Sequence, residues 1–554
     1  MTARAVLMLG LACVAGATAG CRQPRPEGDA IVVALANSPV NLDPRVGADE
    51  ASQKAHQLLY NTLVRIDADL RVVPELAESL EKQPDQITYI ARLRPGVRFH
   101  NGRELTSDDV VYTFRSFLDP SFRGRSGAYR QLASVEAADP HTVVFKLKEP
   151  FGSFPINLVM GIVQAGSGEA NARQPIGTGP YRMRSFVQDD RLVLEPFEQY
   201  HGERAKNSGV VLKVVPDDTM RGLELRKGTV DLVVNDLAPD IVWQLQAEGR
   251  LGVATAQGSD YAYIGLNQRD PVLRHAAVRR AIGFAVDRDA IVKYLRRGFA
   301  TVAVGIVPPM SWAFEKNVFD FTHDPAEARR LLDAAGYPDP DGDGPLPRFR
   351  LSLKTSTSEV YRVQAAAIQH DLARVGIEVD VKSSELQTLF ADVLRGNFQM
   401  YTLQWVGVTD PDMLRRVYHS QQTPPAGLNR VYYRNAEVDR LIESAATAAD
   451  DDTRRQFYTR AQKLIADDVP YISLWYKTNV AVFQPDIQGV RLSPIADFTF
   501  LKDLSRTAPA ARARRVVAAR ERPLDGAQGR PEAPEGRVGA GPASAERCRP
   551  ATQL

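Results

Sequence analysis

Between residues 30 and 504, short β-branched runs alternate with amphipathic stretches of helical period, and this interleaving constrains the fold more than any other feature. Residues 30–36 are β-branched and small and end at Asn37-Ser38-Pro39, which predicts a strand. Residues 51–63 place Ala55, Leu58, Leu59 and Leu63 on one helical face. Residues 87–93 alternate as a half-buried strand does. Thr106-Ser107-Asp108-Asp109 has the spacing of a capping box, and Val110, Phe114 and Phe117 continue it as a helix. Strands are expected at 192–194, 210–215 and 230–234, with a helix between the last two that Asp218 caps and Gly228 ends. Residues 278–286 predict a helix, Asp287 caps a second through Tyr294, and 361–375 and 452–465 predict the longest helices. Such mixing predicts an α/β or α+β class. The 554 residues exceed one ordinary domain and suffice for two or three.

That body holds no cysteine: Cys13, Cys21 and Cys548 all lie outside it, so no disulfide is expected within it. A body of this size stabilises itself through burial alone. With 69 Lys+Arg against 67 Asp+Glu, the net charge is +2, which argues against nucleic acid as a partner.

The first residues read as an export signal. Arg4 provides the basic start, Ala5 to Ala19 an apolar run, and small residues precede Cys21. The run is short for a membrane span, which takes about 20 apolar residues; an uncleaved anchor is the competing reading. Thr18-Ala19-Gly20-Cys21 resembles the lipobox of bacterial lipoproteins, with Thr18 where an aliphatic residue is usual. That resemblance implies lipidation of Cys21 and a membrane anchor; ordinary cleavage with Cys21 unmodified is the alternative. Residues 22–29 then read as a tether. From Ser505 to Leu554 aromatic residues vanish and Ala, Arg, Pro and Gly dominate, so a disordered tail is expected there.

Catalytic and metal signatures are missing. No His-x-x-x-His or Cys-x-x-Cys pair, Walker loop or Gly-x-Ser-x-Gly elbow occurs. Gly166-Ser167-Gly168 reads as a loop rather than a phosphate cradle. Asp339-Pro340-Asp341-Gly342-Asp343-Gly344 opens like a calcium loop, but its twelfth position is Arg350 where a bidentate Glu is needed, so a polar turn is expected. No catalytic residue, metal or cofactor is predicted. An exported hydrolase with dispersed catalytic residues remains an alternative.

Several long blocks resemble the family 5 extracellular solute-binding proteins, the peptide- and nickel-type receptors of ABC importers. They are Val73-Pro74-Glu75-Leu76-Ala77-Glu78-Ser79-Leu80, Arg94-Pro95-Gly96-Val97-Arg98-Phe99-His100-Asn101-Gly102 and Leu105-Thr106-Ser107-Asp108-Asp109-Val110. Further along come Pro175-Ile176-Gly177-Thr178-Gly179-Pro180-Tyr181, Tyr200-His201-Gly202, Gly228-Thr229-Val230-Asp231 and Val278-Arg279-Arg280-Ala281-Ile282. Trp405 with Asp410-Pro411-Asp412, and Val469-Pro470-Tyr471-Ile472, complete the order. The resemblance implies an α/β, two-lobed periplasmic-binding-protein type II fold with an extra third domain. It implies domain I at 30–60, 175–264 and 484–504, domain II at 61–174 and domain III at 265–483, after a signal segment at 1–21. It also implies a monomer outside the cytoplasm, periplasmic or at the cell surface. Such a receptor closes on a small solute, peptide or peptide-like, and delivers it to permease subunits; an exported lipoprotein that senses or chaperones a ligand is the alternative.

Ligand contacts are expected, on the same resemblance, at Trp405, Gly407, Val408 and Asp410, with Asn37, Ser38 and Tyr263. Members that bind free peptides carry a carboxylate three residues after the tryptophan, paired with the peptide's amino terminus. Val408 stands there in this chain, in a segment one residue shorter. A buried ammonium needs an acceptor, so recognition of a free amine is expected to be weak unless Asp410 substitutes. Asp410 is otherwise a turn or cap acid, and Trp405 either a core aromatic or a pocket wall.

Overall fold

The structure, a computed structural model, describes residues 29–342 and 344–507. Cys21, the signal segment, the tether before Asp29, Asp343 and residues 508–554 lie outside the described residues.

The architecture is mixed α/β and two-lobed, with an additional antiparallel domain, as expected. Strand Ile31–Leu35 is fully buried and pairs in parallel with Val210–Val214 and Leu232–Val234. Its side chains alternate between two cores. Ile31, Val33 and Leu35 pack with Leu58, Leu59 and Tyr181 on one face, and Val32 and Ala34 with Leu225 and Leu245 on the other. This period of two is what a sheet covered on both faces requires. Helix Glu50–Leu59 is capped by Asp49. Helix Asp218–Lys227 is capped by Asp217, one residue before the expected Asp218, and ends at left-handed Gly228 as expected.

The additional domain is a four-stranded antiparallel sheet in the order Ala77–Lys82, Thr88–Leu93, Thr142–Leu147, Leu132–Asp139. Helix Ser107–Arg115 starts at the predicted Thr106/Asp109 capping box. It packs Val110 and Phe114 into the same core as Tyr89 and Phe145.

Two long strands, Gly252–Leu266 and Tyr471–Phe483, run antiparallel through the middle of the eleven-stranded sheet and connect the lobes. Their first stretch, Gly252 to Gln257 against Thr478 to Phe483, belongs with the Ile31–Leu35 half. Their second, from Tyr261 against Tyr476, belongs with Met400–Trp405, Phe349–Ser356 and Ile377–Ser384. The register slips between Gln257 and Tyr261, a bulge that bends the ribbon where the cores change. Tyr261, Tyr263, Ala262 and Ile264 already pack in the cores of the C-terminal lobe. Val480, Ala481 and Val482 pack in those of the N-terminal lobe. The cores therefore change at 258–260 and 477–479, before Ile264 and Phe483.

The tail boundary also shifts. Ser505–Arg506 is a short strand paired with Ile487–Gln488, not the start of a disordered tail. Composition missed it because Arg506 is held by charge: it donates to Asp231 and, at 3.1 Å, to Asp486.

The block from Pro175 to Tyr181 has a geometric reason. Gly179 N–H donates to Leu59 O at 3.0 Å, and a Cβ at Gly177 or Gly179 would overlap the carbonyls of Leu59 or Leu58. Only glycine lets the two backbones approach so closely. His100, from another of the recognised blocks, clamps the same strap. Its backbone N–H donates to Gly177 O, its Nδ1 accepts from Gly177 N–H at 3.3 Å, and its Nε2 lies 3.1 Å from Gly179 O.

Candidate solute-binding cleft

Strand Met400–Trp405 pairs antiparallel with Gly252–Leu266, with Trp405 opposite Tyr261. Tyr401, Leu403 and Trp405 share a face with Tyr261 and Tyr263. Trp405 keeps 8% of its surface exposed, and the Arg430 guanidinium lies 4.4 Å from its ring centroid. Of the two readings left open for Trp405, the structure supports the core aromatic at the root of the site.

Beyond Trp405 the chain leaves the sheet and is pinned onto the bulge between the lobes. Gly407 has φ 62°, a left-handed turn that favours glycine. Its N–H donates to Asp260 at 2.8 Å, and Val408 N–H donates to Ser259 O at 3.3 Å. Gln404 Nε2 donates to the second oxygen of Asp260 at 2.9 Å. Val408 is buried and Val406 exposed.

Asp410 then acts twice. Its Oδ1 accepts from Asp412 N–H at 2.7 Å, an Asx turn that leads into helix Met413–Tyr418. The same oxygen accepts from Ser153 Oγ at 2.7 Å, 257 positions away in the antiparallel domain. Arg454 donates to Ser153 Oγ at 2.8 Å, and Gly152 N–H to Ala446 O at 2.8 Å, so the domain and the C-terminal lobe meet here. Burial, reinforced by the neighbouring Asp412 charge, pushes the Asp410 carboxyl up to about 6. Burial raises Asp412 as well, against the opposing effect of Arg415, which holds it with two contacts of 2.8 Å.

Between these segments lies a cleft of about 770 Å³. The loop before strand Leu132–Asp139 and the stretch around Ser153 line one wall; Gly407, Val408, Asp410, Arg415 and Arg416 line the other. The volume is in the range of small-molecule pockets.

The structure thus brings together Gly407, Val408 and Asp410, with Trp405 beneath them. The other three expected contacts stand apart. Asn37 is exposed, and Ser38 is buried with its Oγ accepting from Asp189 N–H at 3.1 Å. Neither lines this cleft. Tyr263 is wholly buried, stacked on Tyr471 at 4.1 Å and on Trp405 at 6.1 Å, and does not line the cleft. Sequence reasoning missed Ser153, Arg416 and Asp260. The Asp412–Arg415 pair, three residues apart on one helix, was the one local signal available.

Among the described residues no cluster of His, Cys, Asp or Glu suits a metal ion, and no helix is long and apolar enough to cross a membrane.

The sequence profile of bacterial extracellular solute-binding proteins, family 5 (middle region), matches residues 71–424. The oligopeptide-binding protein AppA of Bacillus subtilis (strain 168) is 30% identical over 498 residues, covering 86% of this chain and 91% of that protein. The solved structure of AppA in complex with a nonapeptide is similar with a TM-score of 0.72 at 28% identity, covering 87% of this chain and 100% of that one. The binding protein DppA from Helicobacter pylori, in complex with the peptide STSA, is similar with a TM-score of 0.72 at 26% identity, covering 86% and 98%. This chain belongs to the bacterial extracellular solute-binding proteins of family 5.

Proposed function

We propose that this protein is the solute-capturing receptor of an ABC-type importer and that its solute is a peptide or peptide-like molecule held in the cleft beside Gly407, Val408 and Asp410. The observation that carries this reading is the cleft itself, between segments of a molecule whose lobes are joined by two long strands with a bulge at the passage. Such a ribbon permits hinged closure, and a solute that touches both walls favours the closed form. The family is one of binding proteins, and the receptor is not an enzyme. The proposal keeps three domains, with the antiparallel sheet as domain II and the lobe boundaries moved to the bulge.

Specificity follows from Val408 and Asp410. Val408 is buried and offers no charge to an ammonium group. Asp410 is already engaged by Ser153 and the Asp412 backbone. Calorimetry with matched free and N-acetylated tetrapeptides tests this. The acetylated forms should bind at least about tenfold more tightly, a difference of about 1.4 kcal/mol. Tighter binding of the free forms would identify Asp410 as the amine's partner and overturn the reading of Val408.

The proposal also places a lipid anchor at Cys21, supported by the small residues before it and the Pro-rich segment after it. Two or more acyl chains hold a protein at a bilayer where one does not. A Cys21→Ser protein should therefore leave the membrane fraction; its undiminished retention there would contradict the anchor.

A further inference from the structure

The charge lining the cleft is unbalanced. Arg125 and Arg130 stand on one wall and Arg415 and Arg416 on the other, while Asp410 and Asp412 are the only carboxylates among the described lining residues. Asp412 is engaged by Arg415 through both oxygens. Asp410 is held by Ser153 and the Asp412 N–H. Among the described residues, no carboxylate lies within ion-pair distance of Arg125, Arg130 or Arg416. The whole chain carries only +2, so this excess is local.

A solvated arginine on an open surface needs no partner. These three differ in facing one cleft from opposite walls, and a cleft lined by one sign of charge focuses its field. Partial desolvation against the cleft wall lowers the Arg416 guanidinium from its ordinary range, with the Arg415 charge adding to the effect and the two aspartates opposing it. A guanidinium presents a planar fork that matches a carboxylate with two parallel hydrogen bonds.

We infer, on the reading of this cleft as the solute site, that the captured solute is anionic and that Arg130 and Arg416 bind its carboxylate from the two walls. The carboxylate is either the C-terminal group of a peptide or an acidic side chain. Both present the same chemistry to the arginines.

The test is retention by the full-length protein from an equimolar mixture of N-acetylated tetrapeptides, read by mass spectrometry after equilibrium dialysis. The mixture contains glutamate-bearing, alanine-only and lysine-bearing members, each with a free and an amidated C-terminus. Anionic members should be enriched about tenfold or more over neutral amidated ones, and added salt should reduce the enrichment. Loss of enrichment on amidation alone identifies the C-terminal carboxylate; enrichment that follows glutamate identifies the side chain. Arg130→Gln and Arg416→Gln should each cut the preference severalfold, with Arg→Lys keeping part of it. Both side chains are exposed, so the variants should fold as the parent does. Retention without charge dependence, or preference for lysine members, overturns the inference and leaves the receptor reading standing. Retention of no peptide at all overturns both.

Discussion

Truncation after Leu504 is expected to destabilise the protein by about 3 kcal/mol, whereas truncation after Thr507 should leave the unfolding midpoint unchanged. The difference rests on Arg506. Its guanidinium donates to Asp231, to Asp486 at 3.1 Å and to Ala30 O at 3.3 Å. Asp231 is fully buried, and its carboxylate also accepts from Val32 N–H at 3.0 Å in the first strand. The end of the body thus locks its beginning. Removing this cation takes away Coulombic compensation that offsets the desolvation of a buried carboxylate, which costs more than the pair contributes. Arg506→Ala in the full chain should reproduce most of the loss. Equal midpoints for the two truncations would show that the pair contributes nothing. The residues after Thr507 are expected to be dispensable because they contain no aromatic residue and few β-branched ones.

Acidification should destabilise the protein through two histidines. Burial holds His56 and His100 down at about 4, against an ordinary 6.5. His100 must stay neutral for its bonding, since Nδ1 accepts from Gly177 N–H while Nε2 donates to Gly179 O. His56 Nε2 donates to Asn41 O at 3.0 Å. Because the native pKa lies below the unfolded one, the unfolded chain takes up the proton first as pH falls. Stability is therefore complete above 6.5 and lost progressively from 6.5 down to 4. At pH 5 each histidine lies 1.5 pH units into that window. At about 1.36 kcal/mol per unit, this amounts to about 2 kcal/mol for each. Asp410 has the opposite sign: with its carboxyl at about 6, above the ordinary 3.8, its contribution grows as pH falls through 6. A comparison with His100→Gln cancels such acids. Glutamine keeps one donor and one acceptor but does not titrate. From pH 7 to pH 5 the parent should lose about 2 kcal/mol more than this variant. Parallel pH profiles would remove His100 as the cause.

Much of this architecture was legible in the residues. The Thr106/Asp109 capping box, the Gly228 terminus and the Asp287 cap are local devices, and each stands where the sequence placed it. The long ribbon was not legible. Gly252–Leu266 contains Gly258 and a run of small and polar residues that hides its period of two, and the bulge at 258–260 interrupts that period. Trp405, Gly407, Val408 and Asp410 could be selected as a block because they are nearly contiguous. Ser153 could not, since only the folded chain carries it to Asp410. Asn37, Ser38 and Tyr263 came from resemblance alone. The structure gives Ser38 to Asp189 and Tyr263 to the aromatic core.

The central claim is that this molecule is a receptor enclosing a small solute. Native mass spectrometry of the protein purified from cells without denaturation tests it most directly. The account predicts a second mass state, heavier than the bare chain by a small anionic solute. It should disappear after unfolding and return when the released fraction is added back. A single mass equal to the bare chain, unchanged on exposure to the released fraction and to the peptide mixture, would contradict the account.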